Sequence, residues 1–176
     1  PVAVLAVDPS SHLTGGAVLG DRIRMATEVG PHVYIRSFAN RGAMGGLAHV
    51  LPGALDLVAA AGYGLVIVET VGVGQSEIDV ARYADVTVVV LAPSLGDEVQ
   101  AVKAGLMEIA DVFVVNKCDL PDAGVTVRAV RNSIRLRQVG STDVPVLKVS
   151  AGTGENVAEA WGQISGLVGC ERGAET

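Results

Sequence analysis

The sequence predicts an α/β fold: a mainly parallel sheet with helices on both faces. Two observations carry that prediction. Short, nearly all-apolar runs of strand length recur along the chain, and segments with apolar residues at helical spacing separate them. A third observation concerns the residues at the strand exits. Asp8, Glu69, Pro93, Asn116 and Ser150 each sit where an apolar run ends. In parallel sheets ligands bind beyond the carboxyl ends of the strands, so these residues would line one ligand-facing edge.

The elements follow in order. Val2 to Val7 reads as a buried parallel strand ending at Asp8-Pro9. Ser10 to Gly20 is a polar, glycine-containing loop, and Asp21 could open a helix. Val33 to Ile35 is a short extended piece. Arg41 to Gly46 is a loop feeding a helix over Leu47 to Ala61, which Pro52 should bend or delay. Leu65 to Val68 and Val86 to Leu91 are the next strands. Val99, Val102, Leu106 and Ile109 then form an apolar stripe at helical spacing. Val112 to Val115 is a fourth buried strand, Val125 to Gln138 a helix, Val144 to Val149 the last strand and Gly154 to Leu167 the last helix.

Composition narrows the function. Of 176 residues, 49% are hydrophobic and 18% charged, which suits a well-buried core rather than a disordered chain. A formal net charge of −6 and only one Trp, three Tyr and two Phe argue against nucleic acid as the main partner. Arg128, Arg131 and Arg135 fall on one helical face and read as a solvated surface. The longest apolar stretch, Ala54 to Val68, is broken by Asp56 and Gly62-Tyr63-Gly64, too short to span a bilayer. Cys118 and Cys170 show no metal or redox spacing, nor do His12, His32 and His49, and a reducing cytoplasm is the expected location.

The most specific local chemistry is Asn116-Lys117-Cys118-Asp119, directly after Val112-Phe113-Val114-Val115. Guanine presents N1–H and its 2-amino group as adjacent donors, and a carboxylate at Asp119 can accept both. Adenine carries an acceptor at N1 and would be refused. The aliphatic stem of Lys117 can cover the base, and Asn116 would brace neighbouring loops. A backbone N–H at Ser150-Ala151 could meet the guanine carbonyl oxygen. Glu69-Thr70-Val71-Gly72 has the shape of a magnesium and γ-phosphate sensor: the carboxylate reaches Mg²⁺, and the glycine N–H approaches the terminal phosphate. Asp8, Asp21 and Glu69 could together supply the few carboxylates Mg²⁺ prefers. A phosphate-gripping G-x-x-x-x-G-K-[ST] loop is not among these residues. The sequence therefore reads as residues 1–170 of a partial GTP-binding domain without its first strand, phosphate loop and first helix, with 171–176 as a polar tail.

These blocks resemble one family closely. Val7 to Ser11, Thr14 to Gly16, Leu19 to Met25, Gly42 to Gly46, Glu69 to Glu77 and Asn116 to Asp119 are similar to the MeaB/ArgK group. Its members are SIMIBI-class P-loop GTPases that chaperone adenosylcobalamin-dependent methylmalonyl-CoA mutase. The similarity runs from about residue 2 to about 168, and the Glu69 to Glu77 run is its most specific part. The resemblance implies GTP hydrolysis coupled to loading, protection or repair of that mutase, with GTP/GDP and Mg²⁺ as cofactors. Asp8, Asp21 and Glu69 would be the Mg²⁺ and catalytic carboxylates. Thr14 to Met25 would be a first switch and Gly72 to Glu77, with Gln75, a second. Ser94 to Lys103 would be a third, with Asp97, Glu98 and Lys103 contacting the mutase.

The departures shape the expectation. The family's N-terminal helical segment and C-terminal dimerisation arm are not in these residues, nor is the phosphate loop that dominates affinity. The chain alone is expected to bind GTP poorly and hydrolyse little, and the intact parent to form a homodimer. The missing interior strand would leave strand edges open. Two alternatives stand beside the GTPase reading. One is a non-catalytic mutase-binding module. The other is a protein kinase of an arginine/ornithine (LAO/AO) transport system, an older name for the family that none of these residues supports. A nickel-delivery GTPase would carry clustered Cys and His, which the sequence does not show.

Overall fold

Among the described residues of the computed structural model every pairing between strands is parallel, and the strands fall into two three-stranded sheets. The structure describes residues 1–9, 30–40, 46–70, 75–93, 106–137 and 144–168. Each sheet belongs to one of two units, Pro1–Ala84 and Asp85–Thr176.

In the first unit β1 (Val2–Pro9) lies between β2 (Val33–Asn40) and β3 (Leu65–Thr70). Helix α1 (Gly46–Ala60) joins β2 to β3; α2 (Gln75–Val80) and a 3-10 turn (Ala81–Tyr83) follow. Ala3 and Leu5 of β1 stand in register with Val66 and Val68 of β3, so these four share a sheet face. That face packs against Leu51 and Val58 of α1 and Val80 of α2. Helix α1 begins at Gly46 and continues through Pro52, so the later start that the sequence offered as one alternative does not occur. A proline inside a helix costs about 3 kcal/mol. Burial of Leu51 and Val58, two turns apart on the core side, offsets it. Strand β2 is longer than expected, extending past Ile35 to Asn40, and it pairs with β1 along its whole length.

In the second unit β5 (Val112–Val115) lies between β4 (Val88–Leu91) and β6 (Val146–Lys148). A short helix α3 (Leu106–Ile109) precedes β5, α4 (Ala123–Arg137) joins β5 to β6, and α5 (Val157–Leu167) follows β6. All four β5 residues are buried, as a run without polar alternation requires. Phe113 and Val115 meet Val127, Val130 and Ile134 of α4. Val112 and Val114 point the other way and cluster with Ala160, Ile164 and Leu167 of α5. This unit thus has helices on both sheet faces. Fully burying a side chain such as Phe113 contributes about 1.5–3 kcal/mol.

The parallel α/β architecture that the sequence predicts is borne out, in two sheets of which β3 and β4 are outer strands; among the described residues no strand bridges them. Also among the described residues, no helix is long and apolar enough to cross a membrane.

Candidate functional site

Strand β5 delivers Asn116 to the sheet edge, and the ladder fixes it there: its N–H donates to the Leu91 carbonyl at the end of β4, at 2.7 Å. The half-buried side chain then turns to two loops. Its Oδ1 accepts the N–H of Lys117 at 2.8 Å and the N–H of Ala151 at 3.0 Å. The Cys118 N–H donates to the Val149 carbonyl at 2.9 Å. The loops leaving β5 and β6 are therefore held together by one side-chain and one backbone hydrogen bond.

The chain turns sharply at Lys117, which adopts φ 54°. A non-glycine residue in the left-handed region costs about 1–2 kcal/mol, so the surrounding bonds must hold it there. Lys117 and Asp119 are both exposed. Among the described residues the Asp119 carboxylate has no ion-pair or hydrogen-bond partner, so both its oxygens are open to a ligand with paired donors.

Loop 150–156, of which the sequence pointed only to Ser150 and Ala151, is tied to the loop after β5 through the Ala151 N–H. Ser150 is only 2% exposed. Its N–H donates to the Glu155 carbonyl at 3.0 Å, and its carbonyl accepts the Gly154 N–H at 2.8 Å. Its hydroxyl accepts the Thr153 N–H at 3.4 Å. Gly154 adopts φ +79°, a conformation that favours glycine, and Asn156 follows at φ 57° to start α5. The Gly152-Thr153-Gly154 run between a strand and a helix was the available signal.

Cys118, between Lys117 and Asp119, is half-buried against the core beneath α4. Burial pushes its thiol above the usual range. The carboxylates of Glu155 and Asp119 add to that, while Lys148 and a backbone hydrogen bond oppose it. At neutral pH it is a protonated packing residue.

The other predicted site residues are placed as follows. Asp8 lies at the end of β1 and Glu69 near the end of β3, on neighbouring parallel strands, with Glu69 in register with Ala6. Glu69 is exposed. Gln75 is the first residue of α2. Asp21, Gly72, Asp97, Glu98 and Lys103 lie outside the described residues. The structure thus gathers Asn116, Lys117, Asp119, Ser150 and Ala151 at one edge of the second unit, and sets Asp8 and Glu69 on adjacent strand ends in the first. Among the described residues no cluster of three or more His, Cys, Asp or Glu is placed to hold a metal ion.

A family model described as methylmalonyl Co-A mutase-associated GTPase MeaB matches residues 1–172. The chain belongs to the MeaB family. It is 46% identical over 168 residues to a candidate GTPase of Pyrococcus horikoshii, an alignment covering 93% of this chain and 53% of that protein. It is 43% identical over 166 residues to a probable GTPase of Mycobacterium tuberculosis, covering 91% and 49%. A mitochondrial methylmalonic aciduria type A homolog of Mus musculus is 39% identical over 166 residues, covering 91% and 40%. The chain spans about half the length or less of these curated relatives. The fold is also similar to HypB of Helicobacter pylori, solved in complex with nickel. The TM-score is 0.62 at 16% identity, over 94% of this chain and 73% of that one. At that identity the likeness speaks for the fold alone.

Proposed function

We propose that this chain contains the guanine-reading part of a GTPase that serves adenosylcobalamin-dependent methylmalonyl-CoA mutase. The observation that carries the reading is the Asn116 side chain, which holds Lys117 and Ala151 at once beside the open Asp119 carboxylate. Asp119 accepts guanine N1–H and the 2-amino group, and the Lys117 stem covers the base. The Ala151 N–H, engaged by Asn116 here, stands at the loop that would meet the guanine carbonyl oxygen. Asp8, Asp21 and Glu69 bind Mg²⁺, and carboxylate oxygens suit that hard cation. Gly72 and Gln75 respond to the γ-phosphate, while Asp97, Glu98 and Lys103 carry the response to the mutase. The intact protein hydrolyses GTP to GDP and phosphate; positioning and charge stabilisation do most of that work in phosphoryl transfer. Family membership supports this reading, and the phosphate grip is expected from outside these residues.

The test is amide NMR on this chain with GDP and with ADP. GDP is expected to shift Lys117, Cys118 and Ala151, and ADP to leave them in place. Asp119→Asn removes the charge from two hydrogen bonds worth about 1.5–3 kcal/mol each, so guanine affinity is expected to fall by roughly two to four orders of magnitude. Equal responses to the two nucleotides would defeat the guanine assignment. A phosphate-release assay with GTP and Mg²⁺ then separates turnover from binding alone.

A further inference from the structure

The second unit has an open edge that the guanine reading does not use. Among the described residues strand β6 pairs only with β5. Pro145 gives its carbonyl to the Phe113 N–H, and Val149 gives its N–H to the Val115 carbonyl. In a parallel ladder alternate residues face alternate neighbours, so residues 145, 147 and 149 face β5. The backbone groups of Val146 and Lys148 therefore point away from it, and among the described residues they have no partner. Val146 is only 9% exposed, and buried backbone groups without partners are rare in folded proteins.

Along this edge runs a groove of about 580 Å³, between α4 and α5. Its apolar part comes from Ile134, Val146 and Ala160. Its rim carries Arg131, Arg135 and Lys148 and, among the described residues, one carboxylate, that of Glu159. None of these four is in a salt bridge among the described residues. Residues 144–148 extend about 16 Å at roughly 3.3 Å per residue, room for a short extended segment. Arg131 and Arg135, which the sequence assigned to a solvated helix face, thus flank unused strand hydrogen-bonding groups.

We propose that the open edge of β6 docks an extended acidic segment of a partner protein by strand addition. The backbone of the segment pairs with Val146 and Lys148, its apolar side chains enter the groove, and its carboxylates meet Arg131, Arg135 and Lys148. The charge pattern selects this occupant over a second copy of the chain: edge-to-edge pairing of two copies would bring the same cations together, and an edge lysine disfavours self-association. The proposal is independent of the nucleotide reading.

The probe is a fluorescein-labelled peptide alternating valine with aspartate, titrated into the chain and followed by anisotropy. Saturable binding that weakens with added salt is expected. Reversing both exposed charges, Arg131→Glu with Arg135→Glu, is expected to weaken it about tenfold or more. Two versions of the peptide, N-methylated on one or the other set of alternate residues, leave the protein untouched. One is expected to lose binding and the other to keep it, because only one set of N–H groups faces the strand. Equal binding of both versions would overturn strand addition. So would unchanged affinity in the charge-reversed variant, provided its circular dichroism matches that of the parent. An oligothymidylate strand that binds more tightly than the peptide would overturn it in favour of a phosphate backbone.

Discussion

Replacing Asn116 with alanine tests the joint between the loops that leave β5 and β6. The variant removes one acceptor that takes the N–H groups of Lys117 and Ala151, at 2.8 and 3.0 Å. A hydrogen bond contributes about 0.5–1.5 kcal/mol net, which bounds the loss at about 1–3 kcal/mol. Both bonds are solvent-exposed, so water can replace part of each, and the expected loss is about 1–2 kcal/mol. Urea unfolding reads this through Trp161, the chain's one tryptophan, which lies on α5 in the same unit. With a urea slope of about 2 kcal/mol/M, the midpoint is expected to fall by about 0.5–1 M. Asn116→Asp keeps an oxygen that can accept both N–H groups and is expected to retain most of the stability. A midpoint for the alanine variant within about 0.2 M of the parent would refute the bracing argument. An aspartate variant as unstable as the alanine variant would refute it too.

Two further outcomes follow from the same loops. Lys117→Gly relieves a left-handed backbone that costs about 1–2 kcal/mol, against up to about 1 kcal/mol of added chain entropy in the unfolded state. Its Tm is expected to hold or rise while its amide response to GDP weakens; a clear fall in Tm would sink the strain argument. Cys118 concerns pH. Its thiol is raised in the folded protein, so as pH climbs the unfolded chain loses this proton first. The associated stability is complete below the ordinary thiol value of about 8.5 and declines above it. Urea midpoints measured from about pH 8 to pH 10 are expected to fall less in Cys118→Ser than in the parent, and equal declines would count against the assignment.

Much of this could be read in the residues themselves. Strand β5 came out with its true bounds because four apolar residues stand between Asp111 and Asn116. Asn116, Lys117 and Asp119 stood out because their chemistry is local and their spacing short, and the structure sets them at one edge of the second unit. Other features depend on neighbours distant in sequence. Strand β6 is shorter than its apolar run because Pro145 has no N–H and Ser150 is turned into its loop by Glu155. Helix α2 was not foreseen because its polar Gln75-Ser76-Glu77 start carries no apolar period. The φ of Lys117 leaves no trace in a lysine, and the raised Cys118 thiol depends partly on Glu155 and Lys148. Periodicity reports which segments are strands and is silent on which strands meet. That is why two sheets could not be told from one.

The alternation of β5 has a consequence for how the second unit comes apart. Its four side chains serve both layers, Phe113 and Val115 beneath α4 and Val112 and Val114 beneath α5. Neither helix can detach without uncovering a strand that the other also needs. The two layers are thus thermodynamically coupled through a shared element, and damage to one is felt by the other. A substitution beneath α4 would loosen α5 and its neighbouring loop without touching either. In this unit, core packing and the shape of the loops that leave β5 and β6 form a single cooperative property.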